Sequence, residues 1–162
     1  MQKIEVKRIA DTGAMAIVRV KTVERGFEIA QGCLDGGIDC LEISYTLPNA
    51  GEVIAALREK YGDKLVVGAG TVLDAETARH AILAGAQFII APNLSKEVAI
   101  VCNRYQIPYA PGCTSVPVLS TVLHLSKHSR SLTFMVRRWY LYSRLRSRSC
   151  RSWLPAESLL TI

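Results

Sequence analysis

Short apolar runs alternate with segments of helical periodicity along the first two thirds of the chain. Five runs are rich in β-branched residues or glycine: AMAIVRV, CLEIS, KLVVGAG, QFIIAP and IPYAPG, at positions 14–20, 40–44, 64–70, 87–92 and 107–112. Continuous apolar runs of this length are typical of strands that are buried in a parallel sheet. We therefore predict one strand over each of these ranges.

The segments between the runs carry apolar residues three or four positions apart, which predicts amphipathic helices. The apolar faces comprise Val23, Phe27, Ala30 and Leu34 in the first segment, Val53, Leu57 and Tyr61 in the second, and Val98, Val101, Cys102 and Tyr105 in the fourth. We expect the first helix to stop at Gly36 and the second near Gly62. Asp74 is the predicted N-cap of the third helix, over residues 75–84, and Ser95 that of the fourth.

Strand and helix alternate strictly, about every 20–26 residues, which predicts parallel βα units. Such units build either an open doubly wound sheet or a (β/α)8 barrel. No Gly-x-Gly-x-x-Gly motif follows the first strand, so a dinucleotide-binding sheet has little support. We predict an α/β fold of the TIM (β/α)8 barrel type, incomplete, with about five βα units followed by an aberrant tail.

The composition changes abruptly after residue 116. Residues 1–116 hold 12 Lys and Arg against 13 Asp and Glu, whereas residues 117–162 hold 8 against 1. All 11 glycines lie in the first segment and both tryptophans in the second. The sequence therefore predicts a partial barrel over residues 1–116 and a separate basic, Arg- and Ser-rich tail over residues 117–162.

Several classes of protein are disfavoured by the remaining composition. No apolar run approaches the roughly 20 residues of a membrane span, and the N-terminus lacks the apolar core of a signal peptide. The five cysteines show no CxxC spacing, which favours reduced thiols. His80 is the single histidine before the tail, and we interpret it as a surface residue. We expect a cytoplasmic protein with no membrane partner, no metal and no cofactor.

Polar residues follow the predicted strands at the end where barrels carry their active sites. Glu42 lies within CLEIS between apolar neighbours. If it points into the barrel, burial raises its pKa and suits it to proton transfer; the alternative is a carboxylate on the outward surface. Thr71 places a hydroxyl after Gly-Ala-Gly. Arg19 follows the first strand and either binds a carboxylate or phosphate or pairs with Glu42.

Four segments together resemble one known family in order and spacing: LDGGIDCLEISYTLPNAGEVI, VGAGTVLDAE, AGAQFIIAPNLS and IPYAPGCT. They are similar to the 2-keto-3-deoxy-6-phosphogluconate / 4-hydroxy-2-oxoglutarate (KDPG/KHG) aldolases over about residues 5–116. The resemblance implies a TIM barrel, a homotrimer if the chain is intact, and class I cleavage of a small keto-acid substrate to pyruvate and an aldehyde. It further implies that Glu42 shuttles protons and that Thr71 contacts the keto-acid end of the substrate. Arg19 resembles an arginine that some members carry.

The sequence departs from the family pattern at two points. Many members have an arginine four residues after the glutamate, where this chain has Thr46. The family also supplies an imine-forming lysine in a KLFP-like motif about twenty residues after the Pro-Gly pair. That count reaches Ser131, and no such motif follows, so the chain as written lacks the lysine on which the family's activity depends. Lys127 lies near this position without strand character, and Lys21 lies at a strand end where the family places no imine.

The basic tail admits three interpretations. The stretch at 128–153 holds seven arginines and no acidic residue. The first interpretation is a segment that binds nucleic acid or a membrane, and the second is a disordered, solvated segment. The third is that this part of the gene is translated in the wrong reading frame. Synonymous codons can be chosen for SWLPAESLLTI so that translation from the third base of the first codon gives MATGGVSFDN. This shifted peptide resembles the family's MPTGGVS phosphate-binding segment. We favour the out-of-frame interpretation and do not expect a nucleic-acid partner. The alternative is a non-catalytic protein whose basic tail binds nucleic acid or acidic surfaces.

Overall fold

A computed structural model describes residues 7–9, 11–113 and 115, and these form one parallel five-stranded sheet with strand order β1-β2-β3-β4-β5. The strands are β1 (Ala16–Val18), β2 (Cys40–Ser44), β3 (Val66–Gly70), β4 (Ile89–Ala91) and β5 (Tyr109–Pro111). The helices between them are α1 (Val23–Asp35), α2 (Ala50–Tyr61), α3 (Ala75–Leu83) and α4 (Lys96–Tyr105), with a 3-10 turn over Gly62–Lys64. The predicted order of strands and helices is confirmed. The tail at 117–162 lies outside the described residues.

Side-chain caps fix the starts of three helices. Thr22 accepts a hydrogen bond from the backbone N–H of Arg25 at α1. The predicted caps of α3 and α4 are confirmed, since Asp74 and Ser95 each accept a hydrogen bond from the N–H three residues later. Each cap satisfies a helix donor that would otherwise lack a partner. The caps therefore fix the residue at which each of these three helices begins after the preceding strand.

The two faces of the sheet carry different residues. The register pairs Ile17 with Glu42 and Glu42 with Gly68, so these three positions share one face. The opposite face packs on the helices and forms the main core, with Val18, Leu41, Ile43, Val67, Ala69, Ile89 and Tyr109 among its members. On the first face, Cys40, Val66 and Phe88 form a second, smaller buried cluster. In a barrel of this type the first face lines the interior, and we call it the inner face.

We expect the helix-covered core to be sensitive to truncation. Leu57 of α2 is fully buried, so Leu57→Ala should lower the free energy of unfolding by about 2–5 kcal/mol through lost burial and a residual cavity. Leu83 of α3 is 65% exposed, and Leu83→Ala should change it by less than about 0.5 kcal/mol. Urea unfolding followed by circular dichroism measures both. Equal losses in the two variants would contradict this assignment of the core.

Four of the five cysteines lie among the described residues. Cys33, Cys40, Cys102 and Cys113 are free thiols, while Cys150 lies outside the described range. No described helix is long and apolar enough to cross a membrane. Within the same residues, no group of three or more His, Cys, Asp or Glu side chains could hold a metal ion.

Candidate active site

Glu42 lies in the middle of β2 on the inner face and is only 6% exposed. Its side chain extends across Gly70 at the end of β3, where a Cβ atom would overlap the carboxyl group of Glu42. The missing side chain of Gly70 therefore provides the space that the carboxylate occupies. Glu42 is a buried carboxylate beside the exits of β2 and β3, and not a surface group.

Two effects act on the proton affinity of Glu42. Burial raises its pKa because the ionised form loses solvation, and the positive charge of Arg19 lowers it. Burial is the larger effect, so the pKa of Glu42 lies above its ordinary value. Arg19 is exposed, and the described residues include no ion pair between the two side chains. Glu42 is thus a carboxyl group that can both accept and return a proton nearer neutral pH than an exposed glutamate.

Thr71 follows β3 directly and has an unusual backbone. Its φ angle is +58°, in the left-handed region that β-branched residues rarely adopt. Its Oγ1 lies 3.2 Å from the Oγ of Ser44, and that atom lies 3.2 Å from Oγ1 of Thr46. The end of β2 and the end of β3 are therefore joined by three hydroxyl groups in contact.

Arg19 leaves β1 beside an open cleft of about 430 Å³. The cleft is lined by Arg19, Val20, Lys21, Thr22, Arg25 and Ile29. Three of these side chains are cationic and none is acidic, although Arg25 also pairs with Glu28 at 2.5 Å. An anionic group entering this cleft would meet a favourable field.

The predicted site residues lie on three adjacent strand exits: Arg19 after β1, Glu42 in β2 and Thr71 after β3. Glu42 and Thr71 converge at Gly70, whereas Arg19 acts on Glu42 only through its charge. Ser44, the polar last residue of β2, is a further member of this site that the sequence analysis does not single out. The alternation along β2 puts it on the same face as Glu42, and this signal could have found it.

Comparison with known proteins identifies the family. The family model described as "KDPG and KHG aldolase" matches residues 6–130, more than half of the chain. The chain belongs to this aldolase family. It is 36% identical over 107 residues to the 2-dehydro-3-deoxy-phosphogluconate aldolase of Treponema pallidum, covering 66% of this chain and 50% of that protein. It is 33% identical over 109 residues to the 2-dehydro-3-deoxy-6-phosphogalactonate aldolase of Escherichia coli, covering 67% and 53%.

Solved structures of the aldolase family share the fold. The KDPG aldolase of Legionella pneumophila, solved with pyruvate captured as a covalent carbinolamine intermediate, matches with a TM-score of 0.63 and 30% identity, over 67% of this chain and 52% of that one. The predicted TIM-type α/β class is confirmed by such neighbours. The chain spans about half the length of the curated relatives it matches.

No lysine lies within the five strands of the described sheet. Lys21 follows β1 and lines the cationic cleft. Lys127 and Ser131, the positions nearest to the family's imine lysine, lie outside the described residues. His80 is exposed, as expected, and its Nδ1 lies 3.0 Å from the hydroxyl of Tyr45 on the helix side of the sheet.

Proposed function

We propose that this chain takes part in the class I aldolase reaction of its family, the cleavage of a 2-keto-3-deoxy sugar acid phosphate or of 4-hydroxy-2-oxoglutarate to pyruvate and an aldehyde. The observation that carries the proposal is the buried carboxyl group of Glu42, which lies on the inner face with a raised pKa and contacts the backbone that leads to Thr71. Proton transfer near neutral pH is the chemistry to which such a group is suited.

The reaction requires one amine and one proton carrier. A lysine amine condenses with the substrate ketone and releases water, and the resulting iminium withdraws the electron pair of the C3–C4 bond as that bond breaks. The hydroxyl proton on C4 leaves to a base as the aldehyde forms, and the enamine is then protonated at C3 and hydrolysed to pyruvate. We assign these proton transfers to Glu42, whose raised pKa lets one carboxyl group act as base and then as acid.

Thr71 and Arg19 supply the contacts to substrate in this proposal. The Thr71 hydroxyl donates a hydrogen bond to the carboxylate next to the ketone, and the Arg19 guanidinium binds an anionic group of the substrate from the exit of β1. Thr46 stands where many family members have an arginine, so recognition of the carboxylate depends more heavily on these two residues. A homotrimer, which the family resemblance implies, is part of the same proposal and is measurable by light scattering.

The source of the imine lysine decides whether the chain alone completes the reaction. None of the described strands carries a lysine, and Lys127 stands in the tail that we interpret as out of frame, so the lysines to map are Lys127 and Lys21, which lies at the exit of β1. The full chain should be incubated with pyruvate, reduced with borohydride, and analysed by intact mass and peptide mapping. The proposal requires one reduced pyruvate adduct on one lysine, and none when borohydride is omitted.

The same experiment separates this proposal from its alternative. If no adduct forms on the purified full chain, imine chemistry is absent from this polypeptide. Salt-sensitive binding to nucleic acid without any adduct would then favour a non-catalytic protein that acts through its basic tail.

A further inference from the structure

Ser44 is a buried serine at the carboxyl end of β2. It is 1% exposed and lies two residues after Glu42, on the same face of the sheet. A buried hydroxyl needs hydrogen-bond partners. Its partners are two more hydroxyls, Oγ1 of Thr46 and Oγ1 of Thr71, each 3.2 Å from Ser44 Oγ. Ser44 therefore links three hydroxyl groups into one chain that ends at Thr71.

Thr71 is held from several directions. Its positive φ is unfavourable for a β-branched residue, so the surrounding structure must impose it. On one side, Tyr45 N–H donates to Gly70 O at 2.8 Å, and on the other, Val72 N–H donates to Ile90 O at 3.2 Å. These bonds tie the backbone around Thr71 to the exit of β2 and to the middle of β4. The backbone is thus fixed, and the contact with Ser44 then fixes the direction in which the Thr71 hydroxyl points.

The direction of the hydroxyl chain follows from counting donors. Each hydroxyl donates one hydrogen bond and accepts up to two, whereas a carboxylate only accepts. If Thr71 donates to a substrate carboxylate, its link to Ser44 must run the other way, with Ser44 donating to Thr71. Ser44 then accepts from Thr46. Hydroxyls aligned in one direction polarise each other, which strengthens the last bond in the chain.

We propose that Ser44 is a positioning residue for keto-acid binding: it donates its hydrogen bond to Thr71 and so directs the Thr71 hydroxyl at the carboxylate of the substrate, with Thr46 donating to Ser44 in turn. This inference rests on the proposed function, in which Thr71 binds the keto-acid end. It also assigns a role to Thr46, which occupies the position of the family's arginine.

A double-mutant cycle on pyruvate affinity tests the inference without requiring turnover. Pyruvate binding to the full chain should be measured by isothermal titration calorimetry for the wild type, Ser44→Ala, Thr71→Val and the double variant. We expect Thr71→Val to weaken binding by about 10–100-fold, since it removes a hydrogen bond to a charged group, and Ser44→Ala by about 3–10-fold. The double variant should bind no more weakly than Thr71→Val alone, because Ser44 acts only through Thr71.

The controls separate positioning from folding. Ser44→Thr keeps the hydroxyl and should recover most of the affinity that Ser44→Ala loses, and the Tm of each variant reports its folding. If Ser44→Ala does not fold, Thr46→Val perturbs the same chain from its exposed end and should weaken binding only when Thr71 is present. Additive losses in the double variant would overturn the role of Ser44 and leave the proposed function standing. If the wild type does not bind pyruvate, or if Thr71→Val leaves the pyruvate affinity unchanged, both the role of Ser44 and the proposed function are overturned.

Discussion

Replacing Gly70 by alanine is expected to remove proton transfer at Glu42 and to destabilise the fold. A Cβ at this position would overlap Oε1, Cδ and Cγ of Glu42, which is buried and cannot simply swing into solvent. The backbone of Gly70 is not in the left-handed region, so the effect is one of space and not of backbone conformation. We expect a loss of about 1–3 kcal/mol in the free energy of unfolding, typical of overpacking. The rate of methyl-proton exchange of pyruvate in D2O, measured by NMR, should fall about 10²–10⁴-fold.

Gly32 provides a matched control for this substitution. It lies inside α1, and a Cβ there would meet nothing within 4 Å. Gly32→Ala should therefore raise the free energy of unfolding by about 0.5–1 kcal/mol, because alanine is the better helix former. Urea unfolding measures both variants, and the exchange rate of Gly32→Ala should stay at the wild-type value.

A second cycle identifies the cause of the Gly70 effect. In the Glu42→Ala background, the side chain that the new methyl group would strike is gone. Gly70→Ala should then cost little stability, which gives a coupling energy of the same size as its cost in the wild type. If the stability cost is the same in both backgrounds, the clash with Glu42 is not its origin.

The fold could be predicted well from sequence where burial and turn residues agree. The CLEIS strand was predicted over residues 40–44 and is observed over the same residues, since it is buried throughout. The apolar run at 14–20 predicts a first strand of seven residues, but only Ala16–Val18 pair with β2. The helical residues 7–9 and 11–12 were missed, since so short a stretch shows no apolar period.

The candidate site was predictable as a set of residues but not as a geometry. The position of Glu42 in a buried strand could be predicted from its apolar neighbours. The use of Gly70 as space for the carboxyl group depends on the register between β2 and β3, which one strand's pattern does not contain. The positive φ of Thr71 runs against the preference of threonine, so propensity would assign it elsewhere. Residue preferences and the pattern of a single strand therefore do not predict the geometry of this site, as expected where function competes with stability.

Glu42→Gln is expected to change activity and stability in opposite directions. The amide has nearly the same shape as the carboxyl group but cannot carry the proton, so the exchange rate of pyruvate should fall by about 10²–10⁴-fold. Glu59→Gln makes the same change at an exposed position of α2 and should leave this rate unaltered. A comparable loss in Glu59→Gln would show that the assay does not report on Glu42.

The stability effect of Glu42→Gln follows from the sign of the pKa shift. The pKa of Glu42 is raised in the folded protein, above the ordinary 4.5, because burial opposes the charged form. The folded state therefore holds its proton more tightly, and wild-type stability falls as pH rises from about 4.5 through the folded pKa and is constant above it. Glutamine never ionises, so the variant should lack this fall and be the more stable protein at neutral pH, with the difference vanishing in acid. Urea unfolding at a series of pH values measures this. Because a variant that is damaged in general would lose stability along with activity, a gain of stability at neutral pH alongside lost exchange would tie the buried charge of Glu42 to its role in proton transfer.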